Sequence, residues 1–221
     1  MSTERTIRVT GKGQIRVKPD MTRITMTLEG IQRDYAETLR QSTRSTEQIK
    51  DVLEPLGFER MDLKTLQFDV NTEYESYKVH DSYKRRFAGY SYRHVLKIEF
   101  DSDRDRLGRI LYELAACPAR PEFTISYTVK DREASKNELI GKAVEDAKAK
   151  AAVLTKAAGI VLGSIQTIDY SWREISFEVH PMEREMGTKM CMDENSERYD
   201  LDIEPDDIEA SDTVTVVWEI I

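Results

Sequence analysis

The sequence predicts an α+β fold whose strands are joined mostly as antiparallel hairpins. Apolar alternation of period two recurs more often than helical periodicity, two long helical stretches each run into a glycine, and turn residues separate successive strand patterns. About seven strands, two long helices and one shorter helix are expected.

Ile7, Val9, Ile15 and Val17 share one parity, and Ile24, Met26 and Leu28 repeat the pattern after a Pro19-Asp20 turn. The two runs read as a hairpin with one buried face. Inside the first lies Gly11-Lys12-Gly13. A phosphate loop needs a longer glycine–lysine spacing that opens straight into a helix. Here Gln14 follows and the strand continues, so the glycines are read as a bend.

Asp34 to Glu54 reads as a helix, with Asp34 and Glu37 spaced as a capping box and Gly57 as its stop. Its apolar stripe is Tyr35, Leu39, Ile49, Val52, Leu53 and Leu56. Leu66, Phe68 and Val70 then alternate as a strand leading into YESYKVHDSYKRRFAGYSYRH, the far end of a second, long hairpin. Its return strand carries Leu96, Ile98 and Phe100. A short helix from about Asp103 to Ala116 turns Leu107, Ile110, Leu111 and Leu114 inward and stops before Cys117-Pro118.

Phe123, Ile125, Tyr127 and Val129 form another strand, and an alanine-rich helix runs from about Ala134 to Ala158, ending at Gly159. Ile165, Ile168, Tyr170 and Trp172 begin a strand continued by Ile175, Phe177 and Val179, and TVTVVWEII closes the chain as a buried strand. Gly57-Phe58, Leu63, Thr65 and Phe68 find counterparts 102 residues on, in Gly159-Ile160, Ile165, Thr167 and Tyr170. The chain is therefore read as a single domain over 1–221, with pseudo-repeat halves 1–101 and 102–221 and a variable acidic, Met-rich loop at 181–207.

With 33 basic against 41 acidic residues the net charge is −8, which disfavours general nucleic-acid binding, since phosphate contacts need a basic face. No run approaches the roughly 18 apolar residues of a membrane span. Cys117 and Cys191 lie far apart, without the spacing of a zinc site or a disulfide framework, and suit a reducing compartment. The polar start MSTERTIRVTGKG lacks a basic and an apolar signal region, so a cytoplasmic protein is expected.

Two stretches stand out as candidate sites. HPMEREMGTKMCMDE offers Met182, Met186, Met190, Met192, Cys191 and His180, soft ligands suited to Cu(I), or a loop whose methionines pack on a neighbour. The long hairpin interleaves Lys78, Lys84, Arg85, Arg86 and Arg93 with Tyr74, Tyr77, Tyr83, Tyr90 and Tyr92. Aromatics among cations can stack single-stranded bases. In an acidic chain a protein contact fits better, and Tyr77, Tyr83, Lys84, Arg85, Arg86, Tyr90 and Tyr92 are its expected residues. His80, His94 and His180 have no recognised partner spacing, and no nucleophile-elbow, HExxH or dinucleotide-binding pattern occurs.

In order, IRVTGKGQIRVKPD, DLKTLQFDV, FAGYSYRHVLKI, AVEDAKAKAAVLTKAAGIVLGSI and IEPDDIEASDTVTVVWEI resemble the SIMPL domain family (DUF541), named for a signalling molecule associated with a mouse pelle-like kinase. The matching residues are Gly11, Gly13, Pro19 and Asp20; Asp62, Leu63 and Thr65; Gly89 and Tyr90; and the row Ala143, Ala147, Ala151, Gly159 and Gly163. The resemblance implies a non-enzymatic protein without a cofactor. It also implies bacterial relatives that are mostly exported envelope proteins linked to oxidative-stress tolerance, some of them ring-like oligomers. From its polar start no signal peptide like theirs is expected, and Pro205-Asp206 stands where the family has Pro-Gly.

The expectation is thus a protein without catalytic residues, metal or cofactor, acting as a homo-oligomer or on a protein partner. It has no nucleic-acid partner and no membrane span. Two alternatives are a metal or redox buffer built on the Met/Cys loop and an undetected hydrolase.

Overall fold

In the computed structural model residues 5–79, 82–170, 175–180 and 204–221 are described. The order is β1 (Thr6–Val17), β2 (Met21–Gln32), α1 (Tyr35–Leu53), a 3-10 turn (Glu54–Leu56), β3 (Lys64–Val79), β4 (Ser82–Asp101), α2 (Arg104–Ala116), β5 (Glu122–Thr128), α3 (Arg132–Ala158), β6 (Leu162–Asp169), β7 (Glu178–Val179) and β8 (Ile208–Ile220). The class is α+β, with antiparallel pairing on β4 and β8. The chain forms two compact units, one from 1–20, 128–179 and 206–221, the other from 21–127 and 180–205.

In the first unit the strand order is β1-β8-β6, with α3 packed on β1 and β8. β1 and β8 are paired over their whole length, from Thr6 opposite Glu219 to Val17 opposite Ile208. Alternate residues Val9, Gly11, Gly13 and Ile15 turn inward to meet Leu139, Ala143, Ala147 and Ala151, one row of α3 at four-residue spacing. The expected bend at Gly11-Lys12-Gly13 is corrected: β1 passes through without a register shift. The glycines are there because a Cβ at Gly11 would strike the Ala143 carbonyl and the Ala147 nitrogen, and one at Gly13 the Leu139 carbonyl. They let helix and strand backbones touch.

β1 is an edge strand, and one of its outward N–H groups is covered. Lys12 N donates to Asp146 Oδ2 of α3 at 2.7 Å, and Lys150 Nζ lies 2.7 Å from the same oxygen. Those two donors, Lys150 first, hold the Asp146 carboxyl below its ordinary value.

In the second unit the strands run β3-β4-β2-β5, with α1 against β2 and β4. Ile24, Met26, Leu28, Leu96, Ile98 and Phe100 face the helices, and α2 adds Leu107, Ile110, Leu111 and Leu114. Asp34, Asp103 and Asp131 cap the three α-helices through their side chains, and Gly57 and Gly159 end α1's extension and α3 at φ 83° and 71°. The opposite face of the sheet carries Arg23, Lys97 and Glu99. Burial opposes ionisation of Glu99, but hydrogen bonds from Arg23 and Lys97 outweigh it and hold the carboxyl down.

Three further expectations are corrected. The first two runs do not form a hairpin with each other, because β1 pairs with β8 and β2 with β4. Alternation selects a face, not a partner. The strand begun at Ile165 ends at Asp169, and of its expected continuation only the short β7 is strand among the described residues; Trp172 lies outside them. In α1 Tyr35 is exposed, and Thr38 and Ser42 are buried in its place.

Candidate functional site

β3 and β4 stay paired after β2 has ended. The last partner of β2 on β4 is Tyr90, opposite Gln32, while β3 and β4 run on from Glu73 opposite Gly89 to Val79 opposite Ser82. At about 3.3 Å per residue this makes a two-stranded arm roughly 20 Å long. Gly89, at φ 155°, marks its root: a Cβ there would strike the Gln32 carbonyl, so only glycine lets β4 pass the end of β2.

Cross-strand pairing sorts the arm's side chains onto two faces. Tyr74 with Phe87, Ser76 with Arg85, and Lys78 with Tyr83 form one face, with three aromatics, two cations and no carboxylate. There Tyr74 and Phe87 meet edge-on at 6.0 Å and Arg85 lies 5.2 Å over the Tyr74 ring. On the other face Arg86 is paired with Glu75 and lies 5.5 Å over Tyr77, beside Lys84. Tyr83 is 76% exposed. At the root Tyr90 ties the arm to α1, edge-on to Phe87 at 5.2 Å and to Tyr35 at 5.4 Å.

Of the expected interaction residues, Tyr77, Tyr83, Lys84, Arg85 and Arg86 lie exposed on this arm, and Tyr90 is half-buried at its root. Tyr92 is a correction. It is 3% exposed, opposite Gly30, with its hydroxyl 3.5 Å from Ser45 Oγ. Tyr92 lies where β4 is flanked by β2 and covered by α1, whereas the arm's aromatics lie beyond the end of β2.

A polar layer went unread in the sequence. Thr38, Ser42, Ser45 and Thr46 make a hydroxyl row on α1 that faces Tyr90, Tyr92 and His94 of β4. Helical spacing of hydroxyls opposite a period-two aromatic row was the available signal. His94 Nδ1 lies 3.2 Å from Ser42 Oγ and 3.3 Å from Thr46 Oγ1, and Nε2 lies 2.9 Å from Thr65 Oγ1. Thr46 Oγ1 donates to the Ser42 carbonyl, so it offers Nδ1 a lone pair and favours the Nδ1–H tautomer. Burial pulls the His94 pKa down. Ser42 is 3% exposed, so this Ser–His contact joins helix to sheet and does not present a nucleophile to solvent.

The methionines 182, 186, 190 and 192, with Cys191 and His80, lie outside the described residues. His180 is exposed, and among the described residues no three His, Cys, Asp or Glu side chains gather as a metal site. Cys117 is buried at the end of α2. Two open recesses line β8, one at Ile175, Ser176 and 209–213, the other at Gln14, Ile15, Arg16 and 209–211, where Glu209 is paired with Arg16. Among the described residues Tyr170 Oη and Asp212 Oδ2 are buried with no hydrogen-bond partner; burial first, then the neighbouring Asp212 carboxylate, raises the phenol's pKa. No helix among the described residues is long and apolar enough to cross a membrane.

A search of curated proteins finds no match. The family model SIMPL, described as "Protein of unknown function (DUF541)", matches residues 7–218. That span starts one residue into β1 and ends two short of the last residue of β8, and so takes in the arm, the capped helices and the glycine pair under α3. This chain belongs to the SIMPL family.

Proposed function

We propose that the chain works by binding, as a homo-oligomer or on a protein partner, and not by catalysis, with the β3–β4 arm as its contact element. One observation carries this. Beyond Gly89 the arm is a ribbon of two strands whose edges pair with no other strand among the described residues, with its aromatics exposed, and an isolated two-stranded ribbon is at best marginally stable in water. Strand addition at an open edge satisfies the backbone groups such a ribbon exposes. A role in stress tolerance is proposed on the family resemblance alone. Light scattering coupled to size exclusion tests the reading against the chain mass of 25.6 kDa. A discrete multiple of that mass that dissociates when the arm is removed supports self-assembly. A monomer overturns self-assembly and leaves the arm to a different protein, sought by cross-linking from the exposed Tyr83.

A further inference from the structure

The geometry points to one face of the arm, formed by Tyr74, Ser76, Lys78, Tyr83, Arg85 and Phe87, as a docking face for an anionic lipid surface. Charge is the first argument. The chain carries −8 in all, so an anionic bilayer repels it as a whole. Contact is then confined to a part of opposite sign held clear of the rest. Among the described residues this face has two cations and no carboxylate, whereas Arg86 on the opposite face is paired with Glu75. Its roughly 20 Å reach beyond β2 is about two and a half Debye lengths at physiological salt, enough to screen the tip from the described acids at and below the end of β2.

Side-chain chemistry is the second argument. Tyrosine and phenylalanine rings settle at the headgroup level of a bilayer, and Lys and Arg reach the phosphates. Size is the third. A face about 20 Å by 10 Å falls far short of the roughly 800 Å² a side that a stable protein interface buries, while a lipid surface needs no such area. Two cations also give a single strand of nucleic acid a salt slope of only about 1.4. Strand addition uses the arm's edges and leaves this face open. The affinity rests on the assembly proposed above, since several arms meeting one surface multiply weak contacts.

Co-sedimentation with phosphatidylcholine vesicles containing roughly one third phosphatidylserine tests this, beside vesicles of phosphatidylcholine alone. Expected are binding to the anionic vesicles only, weakening with salt, and a drop of about 30-fold in partitioning for the double substitution Lys78→Ser and Arg85→Ser. Arg40→Ser with Arg44→Ser removes the same charge from the exposed side of α1 and is expected to change partitioning less than about 2-fold. Light scattering on the same samples reports the native mass separately. An assembled protein that ignores anionic vesicles overturns the docking and leaves assembly standing. A monomer that binds them keeps the docking and overturns assembly, both as the function and as the source of the affinity. Equal losses in both double variants, or binding to a single-stranded oligonucleotide in place of vesicles, overturn the lipid assignment.

Discussion

Between Gly11 and Gly13 it is the backbone N–H of Lys12 that reaches the Asp146 carboxylate, and nothing in that contact needs a lysine side chain. The glycines are the constrained residues, because a Cβ at Gly11 meets backbone atoms of α3 that cannot yield without moving the helix. Gly11→Ala is expected to cost about 3 kcal/mol, the upper end for overpacking. Lys12→Ala should stay within about 0.5 kcal/mol. Urea unfolding of the two variants decides; comparable losses would sink the close-packing account. His94 gives the pH-dependent counterpart. Burial holds its folded pKa below the ordinary 6.5, so between the two values the unfolded chain binds more protons. The stability His94 contributes is therefore present above pH 6.5 and lost as pH falls through the folded value. An NMR titration should find the imidazole still neutral below pH 6.5, and His94→Gln should flatten the acid limb of stability against pH. An unchanged limb in that variant would remove His94 as its cause.

At the scale of elements, helix ends were legible because they are local. The aspartates at 34 and 103 and the glycines at 57 and 159 act within a turn of their own position, and each does what its residue type predicts. The start of α3 was read at Ala134 because the Asp131 cap precedes its apolar pattern. The burial of Thr38 and Ser42 had only a non-local signal, since hydroxyls at helical spacing look like an outward face until the Tyr and His row of β4 is set opposite them. The arm was legible as a hairpin with a Tyr and Arg tip. That no third strand among the described residues accompanies it was not, because that depends on where β2 stops. The same fact predicts how the arm can be altered. Tyr74, Tyr77, Tyr83 and Phe87 are exposed and none belongs to the core, so replacing 75–86 by an Asn-Gly turn should leave a cooperative fold. Thermal unfolding should shift by no more than a few degrees, the size of a loss of about 1 kcal/mol. If the proposal holds, native mass falls to 25.6 kDa. A variant that no longer unfolds cooperatively would make the arm part of the fold.

For the whole molecule, the first and last strands meet, since β1 and β8 are paired while β2 belongs to a different sheet. Parity in the sequence placed Val9 and Ile15 correctly on a buried face but could not name their partner strand, because a strand's choice among distant strands leaves no local mark. The echo at an offset of 102 residues falls on matching steps: α1 leads through Gly57 to β3, an edge strand on β4, and α3 leads through Gly159 to β6, an edge strand on β8. In each unit the helix lies over the central strand and the strand on its other side, β2 in one and β1 in the other. The units differ in how they are cut from the chain. One needs residues from both ends, whereas 21–127 alone supplies β2, α1, β3, β4, α2 and nearly all of β5. A fragment of 21–127 is therefore expected to fold by itself, with cooperative urea unfolding and slow amide exchange in β2 and β4. A fragment of 1–101 holds β1 without β8 and lacks the buried Leu107, Ile110, Leu111 and Leu114 of α2, so its first 20 residues should exchange at unfolded rates. A non-cooperative 21–127 fragment, or a protected β1 in 1–101, would show that the division follows the sequence halves and not the contacts.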